Sequence, residues 1–490
     1  MTLVADVAVI GGGPAGSAAA RLLASWGHSV LVLARAARQP PLAESLPPSC
    51  VKLFDEIGVR AVIDRAGFIR ATGNTVQWGD RNRRVEVFDA GLGYQVVRDR
   101  FDELLLDGAQ AAGASVERDV SARDAEREGD LWRVQIERAT GADTVRARWI
   151  LDCSGRAGVI ARRGWRRADS AARTIAVAGV WDRTGAWPLE DPSHTFVESY
   201  ANGWAWSIPV SASRRFVTVM LDPRVTDLPG RAELEAAYHA ELTLTPALRE
   251  LVQGASLVGA PWACDATPYS SSRVAGEGAL LVGDAASFVD PLSSFGVKKA
   301  LASAWLAAVV AHTALNDPST TDGAIELFTA RELAMADHLR RGAAALARDA
   351  SGAHDTPFWS ARSEADSALP SDQWDVDALR GDSRVHAAFE ELKRRPALQL
   401  RPADSLQFVR RPVVRGHRIA LEEHLSAPVA PDGVRYCRNV DLVVLARLAP
   451  EFEQVPDLYD AYNRAAPPAP LPDFLGALST LVAFGMLTLA

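Results

Sequence analysis

Cysteine, methionine and lysine are scarce in this 490-residue chain, with four of each. Cys50, Cys153, Cys264 and Cys437 lie far apart and show no Cys-x-x-Cys spacing, so neither a disulfide framework nor a metal site is expected. Reduced thiols fit a cytoplasmic protein. The only lysines are Lys52, Lys298, Lys299 and Lys393, which leaves few places for chemistry that needs an amine. Positive charge is not in excess either: the net charge of -8 gives no general electrostatic reason to seek nucleic acid, and none is expected as a partner. No apolar run is long enough for a membrane span. The most apolar tail, Phe474 to Ala490, contains Gly476 and Gly485 and falls short of the ~20 residues a span needs. The chain opens on Met1-Thr2-Leu3-Val4-Ala5-Asp6 without a basic region and apolar signal core, so no export is expected. Apolar residues nevertheless make up 48% and charged residues 23%, which supplies large cores and excludes global disorder. The length suits two or three domains of ~100 to 200 residues.

The clearest local pattern is at the start. Val7 to Ile10 reads as a buried strand, Pro14 to Trp26 as a helix and Val30 to Leu33 as a second buried strand, a βαβ unit. Between the first two lies Gly11-Gly12-Gly13-Pro14-Ala15-Gly16, a G-x-G-x-x-G pattern in its required strand-to-helix setting. Gly11 permits the tight turn, Gly13 lets a pyrophosphate approach the backbone, and Gly16 lets helix and strand pack closely. The helix N-terminus then offers N–H groups and partial positive charge to the phosphates. One element is missing: the second strand ends Leu33-Ala34-Arg35, and Ala34 cannot accept hydrogen bonds from a ribose.

Strand-like runs recur at Thr75 to Val87, Trp132 to Ile136, Thr174 to Trp181, His194 to Pro209 and Phe216 to Leu221, which predicts a large mixed sheet. Ala279 to Val282 reads as another buried strand leading through Gly283-Asp284 and Asp290 to Gly296 into a helix over Val297 to Thr313. The Ser- and Asp-rich stretch from Ala350 to Asp377 reads as a linker or surface loop. The expected organisation is residues 1–350 as a nucleotide-binding module with an interleaved sheet (mainly 75–90 and 170–270), 351–381 as linker, and 382–490 as a small C-terminal domain of winged-helix type.

Four separated segments, Gly11 to Gly16, Val97-Arg98-Asp99-Arg100-Phe101-Asp102, Asp152-Cys153-Ser154-Gly155-Arg156 and Gly283-Asp284, together resemble the FAD-dependent aromatic hydroxylase superfamily over roughly residues 1–347. The resemblance implies α/β and α+β architecture: a Rossmann-like FAD-binding domain with an interleaved mixed β-sheet substrate domain. By it, FAD would be held by Gly11, Gly13, Ala15, Gly16, Arg35, Ser45, Arg98, Asp284, Pro291, Gly296 and Val297. Asp284 would bond the ribityl chain, and the N–H groups opening the helix at Phe295-Gly296-Val297 would face the pyrimidine end.

Glu44-Ser45-Leu46-Pro47-Pro48, Gly203-Trp204-Ala205-Trp206-Ser207-Ile208-Pro209 and Asp290 to Gly296 look like the flavin-dependent halogenase branch. There the two tryptophans are thought to keep substrate off the flavin, which makes Trp204 and Trp206 candidate catalytic residues. A lysine in an F-x-x-K-x-G pattern handles hypohalous acid in that branch, yet the matching stretch Phe68-Ile69-Arg70-Ala71-Thr72-Gly73 has alanine. The remaining chemistry is hydroxylation of an electron-rich ring through a flavin hydroperoxide. The lysine-lacking combination with a C-terminal domain is similar to flavoprotein hydroxylases that mature tryptophylquinone cofactors, which implies a tryptophan in a partner polypeptide as substrate. A free or carrier-tethered aromatic metabolite, halogenation, a flavin reductase acting on prenyl double bonds, which shares the Gly283-Asp284 region, and a non-enzymatic flavin-fold scaffold are the other readings. His194 is the candidate base on the predicted sheet, and Glu198 shares its face. With no second glycine fingerprint, electrons are expected from transient NAD(P)H contact or from reduced flavin supplied by a separate reductase.

Overall fold

A computed structural model describes residues 3–37, 39–168, 172–226, 233–293, 295–363 and 382–489. The chain divides into two compact units, Met1–Asp366 and Ser367–Ala490.

In the first unit the apolar runs at residues 7–10, 30–34 and 279–281 become fully buried strands, as a parallel sheet covered on both faces requires. Leu3–Ile10, Val30–Ala34, Ser115–Arg118, Gly141–Asp152 and Ala279–Leu281 form a parallel sheet in which Leu3–Ile10 lies between Val30–Ala34 and Gly141–Asp152. Taken in chain order these strands lie 3-2-1-4-5, so the direction of winding reverses between the first and the fourth. Their carboxyl ends are where such sheets bind ligands. Leu131–Arg138 joins this sheet, antiparallel to Gly141–Asp152, rather than the later sheet to which its pattern had been assigned.

The second sheet runs Ser256–Leu257, Ile175–Asp182, Arg214–Leu221, Gly203–Pro209, Thr195–Tyr200, Gly73–Gln77, Arg84–Val87. It is mixed, because Thr195–Tyr200 pairs parallel with Gly73–Gln77 and antiparallel with Gly203–Pro209. The period of two sorts its side chains. Ala176, Trp204 and Met220 face a cluster with Trp78, Ala347, Phe358 and Trp359. Their neighbours Val177, Ala205 and Val219 face Tyr238, Leu242 and Leu248 on the other side. The stretch expected to begin a linker continues instead as helix: Thr321–Ser351 is one long helix, and Pro357–Ser363 follows it with Phe358 and Trp359 fully buried. Two large aromatics hold this segment on the first unit. The rest of the expected linker, residues 364–381, lies outside the described residues.

The second unit starts with the helix Ser383–Arg394. An antiparallel sheet of Gln407–Arg415, Arg418–Ala427 and Ala430–Val434 precedes three helices, Leu442–Leu448, Val455–Ala465 and Leu471–Ala483. Asp441 caps the first of them through the Val443 and Val444 N–H groups. The apolar tail forms the last helix and the strand Leu487–Leu489, which pairs with Leu400–Pro402. Arg410 and Arg411 stand opposite Glu423 and Glu422 across the hairpin, so its basic run is matched by acid.

Candidate functional site

Among the described residues of the first unit, two cavities carry the candidate residues. The larger, about 430 Å³, opens where the Leu3–Ile10 strand gives way to Gly11. Gly11 has φ +112°, and a Cβ there would meet the Cys153 carbonyl oxygen at 2.4 Å, so the turn hugs the end of the neighbouring parallel strand. A Cβ at Gly16 would come within 1.9 Å of the Gly11 oxygen, whereas one at Gly13 would have nothing nearer than Asp102 Oδ2 at 3.8 Å. Gly16 therefore serves close packing and lines no cavity, contrary to its expected place among the contact residues. Gly13 leaves open space for a ligand beside the first turn of the helix Pro14–Ser25, whose N-cap makes no side-chain hydrogen bond.

Gly11, Gly13, Ala15 and Arg35 line this cavity, as do Arg98, Asp284, Pro291, Gly296 and Val297. Ser45 does not; it sits on the strand Ala43–Leu46 opposite Gln95. Arg98 opens the helix Arg98–Ala111 and is held by Asp102, with Nε to Oδ1 at 2.8 Å and Nη2 to Oδ2 at 2.9 Å, while Glu44 Oε1 lies 3.3 Å from Nη1. Burial opposes the charge of Arg98, but the two carboxylates outweigh it and hold the guanidinium above its ordinary pKa. Glu44 and Asp102 also line the cavity and were not singled out from sequence, because nothing in the spacing of residues 44 and 102 announces that they meet.

Asp284 lies in the turn Gly283–Ala285, which makes no side-chain capping bond, so its carboxylate is not spent as a helix cap. It faces the Lys299 ammonium at 3.4 Å; the same ammonium donates to the Ser287 carbonyl. Lys299 is buried in the first turn of the helix Gly296–Asn316. Behind it, on the long helix, burial pushes the Glu332 carboxyl up to about 7, against the Lys299 charge and the Ser303 hydroxyl. At the N-terminus of Gly296–Asn316 a Cβ at Gly296 would meet nothing, so the backbone there is open to the cavity. Ser294, inside the expected motif, lies outside the described residues.

The smaller cavity, about 310 Å³, is walled by Trp204, Trp359, Leu292 and Ala343, Ala344 and Ala347 of the long helix, with Asp290, Arg340 and Arg362 as its charged groups. Val289 lines both cavities; Pro291 lines the larger, and Asp290 and Leu292 the smaller. The Val289 to Leu292 segment is thus the partition between them. Trp204 and Trp206 stack with centroids 4.6 Å apart, as their shared strand face requires, but Trp206 reaches neither cavity. His194 also reaches neither. It is 2% exposed, with Nδ1 3.1 Å from Thr75 Oγ1 and Nε2 2.9 Å from Thr72 Oγ1, a packing histidine rather than a base beside a ligand. Glu198 accepts the Ala247 and Leu248 N–H groups and so caps a helix. Ala71 is fully buried in the strand Ile69–Ala71. Among the described residues no group of three or more His, Cys, Asp or Glu is arranged to hold a metal, and no helix is long and apolar enough to cross a membrane.

Residues 4–316 match the family model described as FAD binding domain. The tryptophan 2-halogenase of Chondromyces crocatus is 30% identical over 377 residues, covering 74% of this chain and 71% of that protein. The flavin-dependent halogenase CmlS superposes over 100% of this chain and 96% of its own, with a TM-score of 0.78 and 23% identity. The peptidyl tryptophan dihydroxylase QhpG, which is essential for tryptophylquinone cofactor biogenesis, covers 93% of this chain and 95% of its own, with a TM-score of 0.69 and 24% identity. At those identities the two structures establish the fold.

Proposed function

Since the chain belongs to the FAD-binding family of flavin-dependent halogenases and monooxygenases, and is accordingly a flavin-dependent oxidoreductase, we propose that it hydroxylates an electron-rich aromatic ring, with a tryptophan in a partner polypeptide as the favoured substrate. The observation that carries the choice of hydroxylation is the placement of the lysines. Position 71 is a buried alanine, no lysine lines the smaller cavity, and the one lysine lining the larger is engaged by Asp284. Among the described residues, no lysine of either cavity is free to capture a hypohalous acid.

The larger cavity suits FAD. Gly11 to Gly13 and the N-terminus of Pro14–Ser25 would present N–H groups to a pyrophosphate, Arg98 and Arg35 would add positive charge, and Asp284 would accept from ribityl hydroxyls. The N–H groups at Gly296 and Val297 would stabilise negative charge on the pyrimidine end of its ring. When bound and reduced, the flavin supplies activation of dioxygen as an electrophilic oxygen donor. The protein's own part is to orient and to exclude water. Trp204, Trp359 and Leu292 would offer apolar walls to the substrate ring, and Val289, which lines both cavities, marks where that ring would come nearest the flavin. Electrons come from a dihydronicotinamide or from a reductase that delivers reduced flavin. The family relative named a tryptophan halogenase supports an indole as substrate, and the fold shared with a peptidyl tryptophan dihydroxylase supports a polypeptide carrier.

The test is the protein with FAD, a reductant, dioxygen and peptides containing tryptophan, read by mass spectrometry. A gain of about 16 or 32 mass units is expected from oxygen insertion. A chlorinated product when halide is added would establish halogenation instead. A chain that takes up no FAD would favour the scaffold reading.

A further inference from the structure

Lys299 is an amine in an unfavourable place. It is 4% exposed and stands in the first turn of the helix Gly296–Asn316, where the positive end of the helix dipole opposes an ammonium as burial does. Its side chain lines the larger cavity, donating to the Ser287 carbonyl and facing Asp284 Oδ1 at 3.4 Å. Asp284 in turn acts on the charges of Arg98 and Glu44, so these groups share one electrostatic neighbourhood. Asp102 belongs to it through its two bonds to Arg98. This part of the wall therefore carries two cations, Arg98 and Lys299, and three carboxylates, Glu44, Asp102 and Asp284. Glu332 is the other carboxylate that acts on Lys299; burial favours its neutral form, which leaves Asp284 as the main charge partner of the ammonium.

We propose that Lys299 is a positioning residue for the redox state of the flavin: by neutralising Asp284 it lets the larger cavity hold reduced flavin, which carries one more negative charge than the oxidised form. This rests on the flavin-dependent reading and says which group of the chain favours the reduced cofactor. A dihydronicotinamide gives up a hydride, that is two electrons and a proton, and becomes a nicotinamide cation, while the flavin that accepts the hydride becomes an anion. A reductase that delivers reduced flavin brings in the same anion. Without Lys299 that anion would meet a wall where Arg98 alone faces three carboxylates, and the Asp284 carboxylate, the one assigned to the ribityl hydroxyls, would stand uncompensated. Repulsion in a partly buried site is weakly screened, so it falls on the reduced form more than on the oxidised. Lys299 acts through Asp284 and not on the substrate, in keeping with an amine that is already engaged.

The test uses the full chain. Affinity for oxidised FAD is measured by equilibrium dialysis, and the midpoint potential of bound FAD by anaerobic equilibration with a reference dye; together they give the preference for reduced over oxidised FAD. Lys299→Met, similar in length and uncharged, is expected to lower that preference at least tenfold, read as a fall of about 30 mV or more for a two-electron couple. Asp284→Asn, which leaves the ammonium unopposed, is expected to raise it, and the double variant to return to within about threefold of the parent, because the two groups act on each other. A purely structural role for Lys299 would weaken both forms of FAD alike and leave their ratio unchanged. An unchanged preference in either single variant, or a change of the opposite sign, overturns the proposal while FAD uptake by the parent keeps the flavin reading standing. If Lys299→Met does not fold, the sign of the Asp284→Asn shift decides. A parent chain that takes up no FAD overturns the flavin reading itself, and this inference with it.

Discussion

The two cavities are separated by a single segment and built in opposite ways. The larger is lined by charge and open backbone, and its key residues fall in short local motifs: Gly11 to Gly13, Asp284, and Gly296 with Val297. The smaller is lined by rings and methyls drawn from a sheet strand, the partition, the long helix and the short helix after it. A site for a cofactor of constant shape is set by backbone geometry, which motifs encode. A site for a variable substrate is set by packing of side chains from distant segments, which they do not.

The sharpest way to separate the two is to damage one and measure the other. Trp359→Ala removes a 1%-exposed ring that packs edge-on against Trp78 and donates to the Tyr200 carbonyl. A loss of roughly 3–5 kcal/mol in stability is expected, and variant that remains folded at low temperature is expected to bind FAD normally. Denaturant titration with FAD fluorescence checks both; a parallel loss of FAD would show that the cavities are one structural unit. Asp284→Ala makes the reverse cut. Loss of a charge-assisted contact is expected to weaken FAD by roughly 1.5–3 kcal/mol, about ten- to a hundredfold, measured by equilibrium dialysis, with the apo chain melting within a few degrees of the parent.

A pH-dependent difference of comparable or smaller size is expected from Glu332. Its carboxyl is raised to about 7, so the neutral form is favoured in the fold; this contribution is complete below the ordinary carboxylate range and is lost as pH rises through about 7. Glu332→Gln, which cannot ionise, is therefore expected to gain on the parent between pH 5 and pH 8, by about 2 kcal/mol, in paired denaturation curves. A constant difference across that range would mean that Lys299 keeps Glu332 ionised throughout. The smallest effect on chemistry is expected from His194→Asn: with neither cavity in reach, it lowers stability and leaves turnover per bound FAD within about twofold, whereas a hundredfold fall would restore the histidine as a base of the size general-base catalysis supplies.

The nucleotide-binding half was legible because its signals are local. The alternation from buried strand to glycine turn to helix dictates the βαβ unit, and the sterics at Gly11 and Gly16 leave no other residue room. Asp284 was readable as a carboxylate in the turn after a buried strand, and Arg98 through the family resemblance. What could not be read is pairing across distance. Lys299 looks like a surface residue beside Lys298 until the helix turns it inward onto Asp284. The pattern sets His194 and Glu198 on one strand face, yet His194 lies just before the strand Thr195–Tyr200 and meets Thr72 and Thr75, and Glu198 meets a helix N-terminus, with neither in the two cavities.

The sequence by itself determined the glycine turn, the parallel core around it, the shared strand face of Trp204 and Trp206 and the absence of a lysine at position 71, since each follows from local sterics, period or residue identity. Only the tertiary structure decided that Trp204 lines the smaller cavity while Trp206 lines neither of the two, that the segment after the long helix packs down through Phe358 and Trp359, and that Asp290 lines the smaller cavity rather than the larger. Burial belongs to the set of neighbours a residue acquires, and those neighbours come from parts of the chain that no local pattern brings together.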